Sequence, residues 1–254
     1  MTFKLEVIGF TIESCILAQS AGANRIELCD NPGEGGTTPS YGFIKAAREK
    51  LQIELYPIIR PRGGDFLYTG AEFEVMKADV QLCKEIGCDG VVIGLLNMDG
   101  NIGVVIGLLL KDGTIDLERS RQLVNLAYPL GVTFHRAFDR VADQAQALED
   151  VIATGCERIL TSGLQPTALQ GAGNIAALIR QAANRIIIMP GSGVRSDTIN
   201  ELAKQTGAVE FHTSARINLA SSMDYTNEMM KETLQSVSVD ADEVKNIALA
   251  LSQL

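Results

Sequence analysis

Charged and imidazole side chains interrupt or follow short apolar segments of this chain, where folding would bury them. Glu6 and Glu27 lie inside the segments LEVI and RIEL, and His135 and His212 follow the segments VTF and EF. Buried charges are costly unless they are paired, so several of them indicate a shared polar site. Such groups can transfer protons, and the expected catalytic residues are Glu6, Glu27, His135 and Asp139. A layer of ion pairs that only fills the protein interior is the alternative.

Two glycine-rich loops carry residue types that bind anions. Arg60 and Arg62 flank a proline and precede two glycines, and arginines beside such a loop suit a carboxylate or phosphate. The second loop, Gly191–Arg195, precedes a helix that Ser196 is expected to cap, so its backbone N–H groups could hold an anion. The expected substrate-binding residues are Arg60, Arg62, Ser162, Gly191, Ser192, Gly193 and His212. Solvated arginines and tight turns without a ligand are the alternatives.

Sulfur ligands for a metal are scarce in this sequence. The five cysteines show no C-x-x-C spacing, and their odd number fits reduced thiols in a cytoplasmic protein. Cys15, Cys83, Cys88 and Cys156 are interpreted as packing residues. Cys29 follows a strand and could supply one soft metal ligand, with His135 or His212 as another.

The elements that must position these residues are indicated by a junction that occurs four times. Gly22, Gly87, Gly155 and Gly207 each follow a segment of helical period and precede an apolar strand with a polar end. Alternating helices and apolar strands predict an α/β fold, a single-domain (β/α)₈ TIM barrel over residues 1–254. Its strand candidates are Leu5–Ile8, Arg25–Leu28, Leu55–Ile59, Val91–Leu96 or Val104–Leu110, Val132–His135, Arg158–Thr161, Ile186–Met189 and Glu210–His212. In such a barrel the polar strand ends form the active-site face.

One segment does not fit eight regular units. Gly90–Ile102 and Gly103–Ile115 are tandem copies of 13 residues that are identical at 10 positions. Only one copy can form the fourth strand, so a duplicated strand-4 segment is expected. The sequence leaves open which copy enters the barrel.

Charge and hydropathy exclude several function classes. The 254 residues carry a formal net charge of -9 and contain no basic run, which argues against nucleic-acid binding. The apolar stretch Gly90–Leu110 is divided by a polar turn, so neither half is long enough to cross a membrane. The expected partners are a small anionic ligand or a copper ion, with no nucleic acid and no membrane.

At these motifs the sequence resembles the CutC family of copper homeostasis proteins. The matching stretches are Gly22–Cys29, Glu34–Ser40, Ile59–Phe66, Val132–Asp139, Ile159–Gly163, Ile186–Arg195 and Glu210–Ala215. The resemblance implies a single TIM barrel, a cytoplasmic location, a homodimer or higher homo-oligomer, and copper ion binding. Family members usually have a cysteine at the position of Ile8, and that cysteine and the equivalent of Cys29 are the two proposed to hold Cu(I). The chain therefore lacks one of these thiols, and the 13-residue duplication is a second departure.

Two functions are expected from these observations. The first is a CutC-like cytoplasmic role in copper homeostasis, with copper as the cofactor and Cys29 as its ligand. The second is an enzyme that acts on a small phosphorylated or carboxylated substrate. In that scheme Arg60 and the Gly191–Arg195 loop hold the anion, and His135 transfers protons together with Glu6 or Glu27. A non-catalytic scaffold, which would have an occluded mouth and fully paired charges, is a third alternative.

Overall fold

The structure is a computed structural model that describes residues 3–96, 113–225, 227, 229–232 and 234–254. Eight short strands form two parallel sheets, in the orders β3-β2-β1-β8 and β4-β5-β6-β7. A parallel bridge between Ile58 and Val92 joins the sheets on one side, and β7 packs beside β8 on the other. The strands are β1 Lys4–Gly9, β2 Arg25–Leu28, β3 Glu54–Pro57, β4 Gly90–Ile93, β5 Gly131–Phe134, β6 Arg158–Thr161, β7 Ile187–Pro190 and β8 Glu210–Thr213. This arrangement confirms the predicted TIM barrel.

Eight helices surround the strands in the described part of the chain, and each buries one apolar face. Phe73, Met76, Val80 and Cys83 recur at helical spacing and are buried on one helix, and the face beginning at Ile199 is buried on another. The helices are α1 Ile12–Ser20, α2 Tyr41–Lys50, α3 Gly70–Ile86, α4 Leu117–Ala127, α5 Gln144–Thr154, α6 Ala172–Ala182, α7 Ile199–Thr206 and α8 Ala241–Ser252. None of these helices has the length and apolar character that a membrane span requires.

The four junction glycines adopt the backbone conformation that the repeat predicts. Their φ angles are +108° at Gly22, +83° at Gly87, +90° at Gly155 and +71° at Gly207. Residues with a Cβ rarely adopt this left-handed region, whereas glycine does so without strain. Each glycine therefore ends a helix and turns the chain toward the next strand.

Two features of the C-terminal part differ from the sequence expectations. Ser196 is not the cap of α7, because that helix begins at Ile199 and Ser196 instead donates from its N–H and hydroxyl to the Glu243 carboxylate. The hydrogen bonds from Ser196 to Glu243 on α8 replace a helix-capping hydrogen bond, because a serine hydroxyl can bond to several nearby partners. An antiparallel hairpin, β9 Arg216–Leu219 and β10 Ser236–Val239, precedes α8 and is absent from the sequence prediction.

The first copy of the duplicated segment supplies the barrel strand. Gly90–Ile93 forms β4 and pairs with β5 in parallel. Most of the second copy, residues 103–112, lies outside the described residues. An antiparallel bridge between Leu96 and Ile115 joins the described ends on either side, so the chain enters and leaves the undescribed segment at one place.

Candidate functional site

A buried ion-pair layer fills the amino-terminal end of the barrel. Arg25 is fully buried and its Nε donates to Glu6 Oε2 at 2.6 Å. Its guanidinium also binds Glu210, which in turn accepts from Arg158 Nε at 2.9 Å. The Tyr56 ring lies 5.0 Å and 5.4 Å from the two arginine guanidinium carbons. At this end of the barrel the buried charges therefore form the ion-pair layer that the sequence analysis gave as the alternative.

Glu6 connects this layer to a second polar layer above it. Its other oxygen, Oε1, lies 2.8 Å from His212 Nδ1 on the neighbouring strand β8. Burial raises the pKa of Glu6, but Arg25 and His212 outweigh burial and lower the pKa to about 2. Burial lowers the pKa of His212, while the hydrogen bond to Glu6 and the charge of Glu27 raise it above its ordinary value overall. Glu6 is therefore ionised and holds His212 in place.

An open cavity of about 770 Å³ lies at the carboxyl ends of the strands, above the second layer. This size is typical of small-molecule sites. Its wall combines apolar side chains, including Ile8, Phe10, Ile58 and Leu160, with titratable and charged ones. The latter are Glu27, Glu34, Asp65, Arg60, Arg136, Arg140, Arg216, His135 and His212. The mouth is thus not the occluded one that a scaffold would have.

Glu27 is the carboxylate that faces this cavity. It is 3% exposed, and within the described residues it accepts no hydrogen bond, with His212 Nδ1 at 3.8 Å as its nearest ion-pair partner. Burial and the charge of Glu6 raise the pKa of Glu27 to about 7, against the opposing charge of His212. Such a group is populated in both protonation states near neutral pH, as general acid–base chemistry requires.

His135 faces the cavity from the other side of the barrel, after β5. Its Nδ1 accepts a hydrogen bond from the Ala137 N–H at 3.0 Å, because the chain turns there into a 3₁₀ helix, Arg136–Arg140. Its Nε2 is buried and has no hydrogen-bond partner in the part of the chain that the structure describes. Burial and Arg60 lower the pKa of His135 to about 3, so the ring is neutral.

The two arginines of the first predicted anion loop have different surroundings. Arg60 lines the cavity, but both terminal nitrogens donate to backbone carbonyls, those of Glu34, Gly36 and Gly64, at 2.6–2.7 Å. Arg62 does not line the cavity. Its Nε donates to Glu72 at 2.6 Å, and its Nη2 lies 2.9 Å from Asp65. Both side chains thus hold loop backbone in the structure as it stands.

Three further predicted residues also lie behind the cavity wall. Asp139 accepts from the Thr161 hydroxyl at 2.5 Å and from the N–H and hydroxyl of Ser162, so it fastens the turn after β5 to the end of β6. The Ser162 hydroxyl also lies 2.6 Å from the Gln165 carbonyl, so its single proton serves either that oxygen or Asp139. Gly191 has no room for a Cβ beside Leu160 and His212, which makes it a packing glycine.

Ser192 and Gly193 do line the cavity, after β7. Ser192 has φ +82°, a conformation that non-glycine residues rarely adopt and that is often found at functional sites. The Gly193 N–H makes no hydrogen bond to the described backbone or side chains. Arg216, after β8, and Arg140, after β5, also line the cavity, so the mouth combines this N–H with positive charge.

The structure places Cys29 in an apolar pocket of the barrel interior rather than on the cavity wall. It is fully buried among Ile8, Tyr56, Ile58 and Val92. Burial and the nearby carboxylates raise its pKa well above the ordinary value. Cu(I) prefers thiolate or thioether ligands, and this cluster holds one thiol, so the donor set does not fit Cu(I).

One group of three potential metal ligands occurs within the described residues. Single ligand atoms of Glu6, Glu27 and His212 lie within 4.8 Å of one another. These are hard or intermediate donors, which do not favour Cu(I). Arg25 and His212 already place positive charge against the two carboxylates, so the cluster is balanced without a cation.

Several cavity residues escaped the sequence analysis. Glu34, Phe66, Arg140 and Arg216 line the mouth but lie outside the barrel strands and the α-helices, where no periodic pattern marks them. The sequence could have indicated Arg216, because it comes four residues after His212, which lies near the end of β8. His135 and Arg136 would point to opposite sides if the strand continued. Because the chain turns there into a 3₁₀ helix, both line the cavity.

Comparisons of this chain with a family model, with related sequences and with solved structures agree on one family. The model of the CutC family matches residues 3–104 and 100–217, two ranges that meet inside the tandem repeat. A CutC family protein of Chromobacterium violaceum is 52% identical over 221 residues, 87% of this chain and 84% of the relative. The solved structure of a CutC from Streptococcus agalactiae, provisionally described as a copper homeostasis protein, has a TM-score of 0.75 and 32% identity. It covers 84% of this chain and 99% of its own.

A likeness to more distant barrels shows the fold alone. A monomeric form of phosphoribosylanthranilate isomerase from Thermotoga maritima superposes with a TM-score of 0.59 over the whole of both chains. Its sequence is 10% identical to this one. At such identity the shared architecture carries no statement about chemistry.

Proposed function

This chain belongs to the CutC family, and we propose that it is an enzyme that binds a small anionic substrate at the barrel mouth and transfers protons there. The observation that carries the proposal is the environment of Glu27. A buried carboxylate without a hydrogen bond faces an open cavity of about 770 Å³. Burying a carboxylate without a hydrogen bond is unfavourable for stability, and unfavourable placements of this kind cluster at functional sites.

His212 supports this role from the neighbouring strand. It is held by the ionised Glu6 at 2.8 Å and brings its charge within 3.8 Å of Glu27. Arg25 in turn fixes Glu6 from below. In this proposal the ion-pair layer positions the acid–base group. The shared polar site and the ion-pair layer, which the sequence analysis treated as alternatives, are then two adjacent layers of one barrel.

The anion is best accommodated on the wall formed after β7 and β8. Gly193, Ser214 and Arg216 line the cavity there, and Arg140 lines it from the turn after β5. TIM barrels often bind phosphate at these two loops. Arg60, whose terminal nitrogens bind carbonyls, serves in this proposal to shape the loops rather than to hold the anion.

Isothermal titration with ribose 5-phosphate tests the anion site. Arg216→Gln is expected to weaken binding about tenfold, the usual effect of losing one charge-assisted hydrogen bond. Arg185→Gln is the matched control, because Arg185 is an equally exposed arginine that pairs with Glu149 on the outer surface. The proposal fails if the wild type does not bind ribose 5-phosphate, or if both variants bind it equally well.

A second candidate function, copper binding through Cys29, comes from the copper homeostasis description of the Streptococcus agalactiae relative. The observation in its favour is that Cys29 lies beside Ile8, the position at which the family usually has a second cysteine. A single buried thiol is a poor Cu(I) site, so the wild type is expected to bind Cu(I) no more tightly than a variant without that thiol. Anaerobic Cu(I) titration against a chromophoric chelator, on wild type and Cys29→Ser, decides this. Tight binding that Cys29→Ser removes would favour copper over the enzyme.

We further propose a cytoplasmic location and assembly into homo-oligomers. All five cysteines are free and buried, which suits a reducing compartment. Exposed apolar side chains in the β9–β10 arm, including Leu219, Met223 and Tyr225, support association with a second copy. Light scattering of the purified protein measures the assembly directly.

A further inference from the structure

The geometry at His135 points to the substrate class: we propose that the substrate is a small phosphorylated carbonyl compound with a C–H bond next to the carbonyl. His135 donates a hydrogen bond from Nε2 to the carbonyl oxygen, and Glu27 removes the neighbouring proton. This inference rests on the proposed function, because it assumes that the anion and the acid–base group share the mouth cavity.

The tautomer of His135 is set by its own backbone. The Ala137 N–H donates to Nδ1 at 3.0 Å, so Nδ1 is an acceptor and the proton of the neutral ring lies on Nε2. That Nε2–H is buried, and in the described part of the chain nothing accepts from it. The ring lines the cavity. A buried donor without an acceptor is unfavourable, and a ligand oxygen in the cavity would satisfy it.

The ring is also fixed in position by its neighbours. Phe66 packs against it in a tilted arrangement with ring centroids 4.9 Å apart, and the Phe134 ring lies edge-on to it with centroids 6.2 Å apart. A Cβ at Gly94 would overlap the imidazole, so glycine at that position leaves just the space that the ring fills. A donor held this rigidly can stabilise an oxygen on which charge develops, because no reorganisation is needed during the reaction.

Glu27 approaches the same cavity from β2, on the far side of the barrel from His135 after β5. A substrate between them would meet a carboxylate on one side and a neutral N–H donor on the other. The C–H bond then breaks, its proton goes to Glu27, and its electron pair forms the new C=C bond. The carbonyl oxygen becomes an enolate oxygen that accepts from the His135 Nε2–H. Return of the proton to the same carbon from the opposite face gives the epimer. Where that carbon carries a hydroxyl, transfer of the hydroxyl proton to the enolate oxygen and of the carbon proton to the former carbonyl carbon gives the isomer, and neither outcome needs an oxidant or reductant.

Solvent hydrogen exchange detects this step without knowledge of the product. Ribose 5-phosphate, ribulose 5-phosphate and dihydroxyacetone phosphate are incubated with the protein in D₂O, and loss of the C–H signal beside the carbonyl is followed by proton NMR. At least one of these probes is expected to exchange. His135→Asn keeps an oxygen that can accept from the Ala137 N–H but lacks the Nε2 donor, so exchange is expected to slow on the order of 100-fold.

His135→Gln restores an N–H donor near the position of Nε2 and is expected to recover part of the rate. Titration of ribose 5-phosphate into wild type and both variants separates binding from chemistry. Unchanged binding with lost exchange in His135→Asn supports the inference. Binding by the wild type without exchange of any probe overturns the inference and leaves the proposed anion site standing. Absence of binding by the wild type overturns both.

Discussion

Replacing Arg25 by methionine tests whether the buried ion-pair layer holds the second polar layer in place. Arg25 is fully buried and donates to Glu6 at 2.6 Å. The pKa of Glu6 is about 2 rather than the ordinary 4.5, and since one pKa unit corresponds to 1.36 kcal/mol, its environment favours the ionised form by about 3 kcal/mol. Breaking a buried ion pair costs about 3–5 kcal/mol, because the remaining charge stays buried without its partner. Arg25→Met is therefore expected to lower the unfolding free energy by at least about 3 kcal/mol at pH 7.

Glu6 makes this loss depend on pH. Because the folded-state pKa of Glu6 is depressed, its stabilisation is fully present above pH 4.5 and disappears as the pH falls toward 2. The difference between wild type and Arg25→Met is thus expected to shrink from about 3 kcal/mol at pH 7 to about 2 kcal/mol at pH 3.5.

Urea denaturation followed by circular dichroism measures this difference at both pH values. Arg185→Met is the control, since it breaks an exposed pair with Glu149, and such pairs contribute little to stability. The reasoning is refuted if Arg25→Met destabilises no more than Arg185→Met. It is equally refuted if the loss caused by Arg25→Met is as large at pH 3.5 as at pH 7.

Three other predictions concern the mouth, the repeat and the thiol. Gly94→Ala is expected to displace the His135 ring and abolish its Nδ1 hydrogen bond, which imidazole nitrogen NMR detects. Gly42→Ala on α2 is the control, because Gly42 has open space around it, and it should leave that spectrum unchanged. Deleting residues 97–109 leaves one copy of the repeat and five residues between the bridged Leu96 and Ile115, a usual hairpin length. The melting temperature is expected to stay within a few degrees, and failure to fold would contradict the assignment of β4 to the first copy. Ile8→Cys is expected to create Cu(I) binding that the wild type lacks, and unchanged Cu(I) affinity in the chelator competition would contradict the geometry.

The fold was predictable because its repeating unit is local. A helix, a left-handed glycine and an apolar strand are each set by a few adjacent residues, as at Gly155 and β6. Two strands, Arg25–Leu28 and Arg158–Thr161, have the predicted bounds. The others differ by one to three residues at one or both ends, because ladder pairing rather than hydropathy ends each strand. The β9–β10 hairpin was missed because its residues are mostly exposed, so no alternation of burial marks it.

The site was only partly predictable for a different reason. The sequence predicted Glu27 inside a strand and His135 and His212 at strand ends, and all three line the cavity, because neighbouring parallel strands end at one face. The partners of long side chains depend on contacts between distant segments. Arg60 reaches carbonyls 24 and 26 residues away, and Asp139 fastens loops 22 residues apart. Nothing in the local sequence distinguishes such arginines and aspartates from ligand-binding ones.

The most direct test of the account is a crystal structure of the protein with ribulose 5-phosphate. The phosphate is expected beside the Gly193 N–H and Arg216. The carbonyl oxygen is expected within hydrogen-bond distance of His135 Nε2, with Glu27 facing the adjacent carbon. A sugar phosphate bound outside the barrel mouth, or a mouth that stays empty at saturating concentration, would contradict the account.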